Sequence, residues 1–223
     1  KGTILSMRLN KQTLSEQIYE ILRQDILTQN IKCGTKLTLK VLQERFEVSS
    51  TPIREALTRL SEEGLMFYYS NIGVRVLEFT SQDLREIFQF MGDLDALAVR
   101  YAAEHAKRDT LTDKLRENLE ACKRESDTKK LLQLSDEFHL LFYEYCDNSR
   151  LKNSAERMRS QLSVASYQYE QQTDNRSHIH EEHRAIFASF ARGEAEEAAA
   201  KMKAHLMHSL VYAQAVWPEQ KEV

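Results

Sequence analysis

Residues Phe46–Leu65 read FEVSSTPIREALTRLSEEGL, and this stretch decides the fold. It holds one of only 2 prolines in the chain, preceded by Ser49, Ser50 and Thr51. Proline is favoured in the first turn of a helix, where its missing N–H costs nothing. Ile53, Ala56, Leu57 and Leu60 then recur at helical spacing, which predicts a helix to Glu63 with Gly64 as its stop. Small hydroxyls and free backbone N–H groups at a helix start accept phosphate oxygens well. Arg54, one turn in, has the reach for a base edge or a phosphate. Taken alone, the same residues also describe an ordinary N-cap followed by a solvated arginine. The neighbouring elements discriminate.

Upstream, Leu14, Ile18, Ile21, Leu22 and Ile26 predict an amphipathic helix over residues 13–29. A turn around Gly34 follows. Thr38 is placed to cap a second helix over residues 39–46, with Leu39, Leu42 and Phe46 inward. Downstream, LMFYYSNIGVRVLEF changes period, and two short β-type runs around Ser70–Gly73 predict a hairpin. Three helices followed by a hairpin make a winged helix-turn-helix, whose last helix enters a DNA major groove. Within residues 32–59, Lys32, Lys36, Lys40, Arg45, Arg54 and Arg59 face only three acidic residues.

The rest of the 223 residues reads differently. Residues 1–80 carry 11 Lys and Arg against 9 Asp and Glu, whereas residues 81–223 carry 20 against 25. A mildly basic front and an acidic back imply two modules with different partners. With only 6 Gly and abundant helix formers, the chain is expected to be mainly α. Six helices are expected at 81–106, 109–126, 128–147, 150–172, 178–192 and 194–216, with Ser81 and Asp109 as caps and breaks at Asn148 and Gly193. The fold class is therefore a winged helix-turn-helix domain over 11–79 joined to an all-helical bundle over 80–217. Residues 1–10 read as a loose end. Cys33, Cys122 and Cys146 are widely spaced and odd in number, which fits a reducing cytoplasm rather than a disulfide framework. No apolar run reaches the length of a membrane span and no signal-peptide pattern opens the chain.

With these residues in view, the chain resembles the GntR family of bacterial transcription regulators, in the FadR-like branch with an FCD effector-binding domain. The likeness covers residues 12–216. GTKLTLKVLQERFEVSSTPIREALTRLSEEGL follows the family's pattern in the front module, and DEFHLLFYEYCDN, EEHRAIFASFARGEAEEAA and MKAHL look like its three histidine-bearing helices. By this resemblance Lys40, Ser50, Thr51, Arg54 and the wing at Gly73 touch DNA, and Thr38 and Ser49, at the starts of the two helices, are DNA-binding candidates with them. Ser50 stands where the family usually has arginine, Ile72 where a second often precedes the wing glycine, and Lys40 where arginine is common. Neither serine nor lysine reproduces the arginine fork, so the operator is expected to differ from the family's usual one.

There are 7 histidines. His183 shares a helical stripe with Ile179, Ile186 and Phe190, and His139 and His205 flank the apolar stripes of their own helices. Three buried, hydrogen-bonded histidines or three ligands of a divalent metal both satisfy that pattern. The resemblance adds a metal, such as zinc, nickel or manganese, held by His139, His183 and His205. The family's fourth ligand is an aspartate one turn before the first histidine, where this chain has Ser135 and its aspartate falls at Asp136. Asp136 is a candidate to reach in with a different geometry. In the first bundle helix, Met91 takes the position of an arginine that commonly faces the effector, four residues before Asp95. Met91, Asp95 and Ser135 are thus the candidate ligand-pocket residues. His178, His180 and His208 are expected in a loop or on a solvated face, and His105 near a helix end.

Three functions compete. The first is a ligand-responsive transcription regulator that binds double-stranded operator DNA as a two-fold homodimer and senses a small metabolite, an organic acid by resemblance. The second is a regulator that has lost its metal or effector. The third is a metal-dependent hydrolase using the three histidines, which lacks a recognisable general base because Glu182 adjoins His183 on another face of its helix. The regulator reading explains most of the residues, and no enzyme activity is expected.

Overall fold

A computed structural model describes residues 12–69 and 73–217. The loose end expected at 1–10 and most of the hairpin turn, Ser70–Ile72, lie outside the described residues. The chain divides after Val76 into two compact units.

The first unit contains α1 (Leu14–Leu27), β1 (Lys36–Leu37), α2 (Leu39–Phe46), α3 (Ser50–Glu62), β2 (Met66–Tyr69) and β3 (Gly73–Val76). A capping box between Thr13 and Glu16 starts α1, and Thr38 Oγ1 accepts the Val41 N–H to start α2. Ile18, Leu22 and Ile26 of α1 bury against Ile53, Leu57 and Leu60 of α3. Each such side chain removed from water contributes on the order of 1.5–3 kcal/mol, which is what sets α3 on this scaffold. Leu14 and Ile21, expected inward, are exposed. Their positions fall off the narrow stripe that meets α3. Across the same contact the Tyr19 hydroxyl donates to Glu63 at 2.5 Å, while the Arg59 guanidinium sits 3.6 Å from the Tyr19 ring centroid. Arg45 pairs with Asp25 and ties α2 to α1.

The wing is a three-stranded antiparallel sheet ordered β1-β3-β2. The hairpin was expected, whereas β1 was not. It is two residues long and exists only through pairing, Lys36 with Arg75 and Leu37 with Val74. That pairing dictates glycine at 73. The residue has φ +110°, and a Cβ there would lie 2.4 Å from the Leu37 carbonyl oxygen.

The second unit is helical: α4 (Ser81–Glu104), α5 (Arg108–Arg124), α6 (Thr128–Glu144), α7 (Ser149–Glu170), α8 (Thr173–Ala191) and α9 (Ala195–Val216). α4 is the spine, packed along α9 and against α6 and α7. The two helices approach closely at Gly92, where a Cβ would sit 3.4 Å from Leu206 Cβ. Phe88, Phe138, Phe142 and Phe190 are fully buried, and Phe142 packs edge to face with two of them, 5.6 Å from Phe138 and 5.3 Å from Phe190 between ring centroids. Two expected caps are corrected. Thr80, one residue before Ser81, caps α4 through a capping box with Asp83, and Lys107 occupies the N-cap position of α5, leaving Asp109 in the first turn. α8 begins at Thr173 rather than near 178, because Arg176 donates back to the Glu170 and Gln171 carbonyls at 2.9 and 2.7 Å and satisfies the end of α7.

Candidate functional site

Three helices of the second unit each contribute one buried histidine to a common point: His139 from α6, His183 from α8 and His205 from α9. His183 Nε2 lies 3.2 Å from His139 Nε2 and 3.3 Å from His205 Nε2, and all three ligand atoms fall within 4.8 Å of one another. The rings are held by what stands behind them. His139 Nδ1 donates to Asp95 Oδ2 at 2.8 Å, and His205 Nδ1 donates to Glu182 Oε2 at 2.7 Å. A carboxylate acceptor at Nδ1 keeps the proton there and presents the Nε2 lone pair forward. The centre therefore receives lone pairs from two rings, and one N–H of His183 cannot fully satisfy both. A divalent cation satisfies all three. With metal–nitrogen bonds of about 2.0–2.1 Å, tetrahedral ligands stand roughly 3.3 Å apart, close to the two His183 separations. Burial, with Arg159 nearby, pushes His139 down to about 4, and burial also holds His183 well below the ordinary histidine value. Both rings are thus neutral at pH 7, the form a metal requires.

Asp95 is the hub behind the centre. Besides His139, it accepts from the Tyr143 hydroxyl at 2.6 Å and from Arg159 Nη2 at 2.7 and 2.9 Å. Burial opposes its charge, yet Arg159, His139 and Tyr143 together hold it well below the usual carboxylate range. Met91 is fully buried in the core. Neither it nor Asp95 is among the residues lining the cavity beside the histidines. Asp136 does not join the histidine cluster, since its carboxylate lies 3.5 Å from Arg159 Nη1. Among the described residues, His139, His183 and His205 are the side chains grouped to hold such an ion, and a fourth donor would have to come from water or a ligand.

Beside His183 is a cavity of about 230 Å³ whose walls include Ser135, Glu170, Arg176, His180 and Cys122. Ser135, at the position of the missing aspartate, lines this space together with His183. Burial pushes Glu170 up to about 7 even though the nearby hydroxyls of Ser166 and Ser135 favour its charged form. His180 is half-buried on α8, not in a loop. His178 and His208 are exposed on helices, and His105 caps the C-terminus of α4, 3.2 Å from Asp147. Glu182 is indeed on another face from His183, but that face turns to α9, where it also meets His208 Nδ1 at 2.5 Å.

Sequence reasoning missed Arg159, Glu170 and the role of Glu182. The first was legible. Leu151, Ala155 and Leu162 form a stripe on α7 in which Arg159 falls, and a charge on an apolar stripe signals a buried partner.

On the first unit, Ser49 holds the N-cap position of α3 without a side-chain cap bond, so the first-turn N–H groups keep their capacity for an external acceptor. Thr38, Lys40, Thr51 and Arg54 are exposed and Ser50 is half-buried. Lys40 pairs loosely with Glu44 at 4.0 Å, and Arg54 makes no ion pair among the described residues.

Residues 14–76 match the family described as "Bacterial regulatory proteins, gntR family", and residues 86–208 match the FCD domain. The chain belongs to the GntR family of transcription regulators, in its FCD-bearing branch. It is 27% identical over 212 residues to the uncharacterized HTH-type transcriptional regulator YdhC of Bacillus subtilis, covering 92% of this chain and 93% of the relative. It is 26% identical over 202 residues to the HTH-type transcriptional repressor RspR of Escherichia coli, covering 87% and 86%. The solved structure of E. coli McbR/YncC superposes with a TM-score of 0.74 at 21% identity, over 93% of this chain and all of that one, which supports the fold. The protein is a DNA-binding regulator and not an enzyme. Glu182, which adjoins His183 in sequence, orients His205 and His208.

Proposed function

We propose that the protein is a metal-dependent, ligand-responsive regulator that binds double-stranded operator DNA as a homodimer in the cytoplasm. Residues 11–79 form its DNA-binding domain and 80–217 its effector domain. Thr38, Lys40, Ser49, Ser50, Thr51, Arg54 and the Gly73 wing form the DNA face: hydroxyls and backbone N–H groups take phosphates, and Arg54 reaches into the groove. His139, His183 and His205 hold a zinc, nickel or manganese ion, with Asp95 and Glu182 fixing two of the rings. When bound, that ion supplies a Lewis acid for an oxygen donor of the effector. Ser135 and the adjoining cavity leave room for a small organic acid at the open position. The observation that carries this reading is the convergence of three Nε2 atoms, two of them backed by carboxylates, at the edge of a cavity. No helix of the described residues is long and apolar enough to cross a membrane.

The effector shifts DNA affinity only to the extent that it binds one dimer arrangement better than another. The test is operator binding by the metal-loaded protein, followed by titration with candidate acids. Salt-sensitive binding that an acid weakens, and that metal removal makes insensitive to that acid, supports the reading. Unaltered response after metal removal counts against it.

A further inference from the structure

Glu170 is the group in the cavity that the regulator reading leaves unexplained. It sits at the last turn of α7, nine-tenths buried, and its carboxyl lines the same space as Ser135 and His183. Among the described residues its carboxylate forms no ion pair, and the hydroxyls of Ser135 and Ser166 lie near enough to favour its charged form. Arg176, in the same cavity wall, favours the charged form of Glu170 from a distance without forming an ion pair with it. It donates to the Glu170 and Gln171 carbonyls and to Thr173 Oγ1 at 3.3 Å. Asp136 of α6 adds a second negative charge close by, and Tyr169 of α7 contributes no compensating one. A buried carboxylate with no ion pair of its own is costly, and such groups cluster where function uses them.

Resting on the effector-domain reading above, we propose that Glu170 receives an ammonium group, so that the effector is a small amino acid or similar amine-bearing acid rather than a plain organic acid. Its carboxylate takes the open position at the three histidines, and its ammonium is held by Glu170 with Ser135 beside it. A hydroxyl in place of the ammonium leaves the buried charge uncompensated, so the hydroxy analogue binds less well. Burial leads the rise in Glu170's proton affinity, as expected of a carboxyl set in this cavity without an ion pair of its own.

The experiment compares matched probes on the metal-loaded full chain at pH 8: small 2-amino acids and 4-aminobutanoate against the corresponding 2-hydroxy acids and 4-hydroxybutanoate, by thermal shift and then calorimetry. Glu170→Gln and Glu170→Asp are measured alongside, with metal content and operator binding read on every sample. At least one amino member is expected to bind about tenfold or more tighter than its hydroxy partner, with Glu170→Gln erasing the difference. Glu170→Asp, which keeps the charge, retains the preference if Gln perturbs folding. Equal or better binding by the hydroxy acids, no binding by any amino member, or an unchanged preference in Glu170→Gln overturns the proposal. Metal and operator binding that survive such a result leave the regulator reading standing. A wild type without metal or operator binding overturns both.

Discussion

The two units keep their chemistry in opposite places. In the first, the candidate residues Thr38, Lys40, Thr51 and Arg54 are exposed, and the interior of α1 and α3 is apolar. In the second, Asp95, His139, Arg159, Glu170, His183 and His205 are all buried. A polyanion is met by a convex face whose side chains cost little to hydrate. A small molecule requires an interior whose charges must be compensated within the fold or by the ligand. Substitutions should therefore act on binding alone in the first unit, and on stability and binding together in the second.

The strongest challenge to that contrast is Arg159→Met. It leaves Asp95 buried with its main counter-charge gone, and chemical denaturation should show a loss of about 3–5 kcal/mol. A loss below about 1 kcal/mol would mean that the hub is not electrostatic. Gly73→Ala tests the exception in the first unit, because there a backbone contact and not a surface group decides. The 2.4 Å approach to Leu37 O at φ +110° should cost about 1–3 kcal/mol, read by thermal unfolding. Glu182→Gln keeps the shape behind His205 but removes its charge, and metal affinity should fall about 10–100-fold in a chelator competition. Arg54→Ala should leave the melting temperature unchanged, weaken operator binding by about tenfold and lower the salt slope by about one.

Glu170 supplies the smallest and most specific effect. Its carboxyl is pushed up to about 7 from 4.5, mainly by burial, with Asp136 adding to the shift while Ser166, Ser135 and Arg176 oppose it. The folded chain then binds that proton more tightly than the unfolded chain, so this group's contribution to stability is present below the unfolded value and is lost as pH rises through about 7. Thermal unfolding between pH 5 and 8 should decline less in Glu170→Gln than in the wild type.

Local signals carried much of the architecture. The alternation of Ile53, Ala56, Leu57 and Leu60, with Pro52 at the start, placed α3 because its core stripe and its cap lie within one short segment. The same logic put His183 among buried residues, since Ile179, Ile186 and Phe190 share its face. What failed was non-local. β1 has no strand pattern of its own and exists through partners almost forty residues away in sequence. The start of α8 is a polar run whose stability comes from Arg176 reaching back to α7. Asp136 turned to Arg159 because a buried guanidinium on α7 attracts it more than neutral imidazoles do. Glu182 and Glu170 depend on which helix lies opposite, and helical spacing alone is silent on that.

Whether the three histidines hold a metal is decided by elemental analysis of protein purified without chelators or a metal-affinity column, for the wild type and for His139→Ala, His183→Ala and His205→Ala. About one equivalent of zinc, nickel or manganese per chain is expected in the wild type and near none in each variant. Wild-type protein without metal, and with an unchanged melting temperature when metal is added, would contradict that expectation.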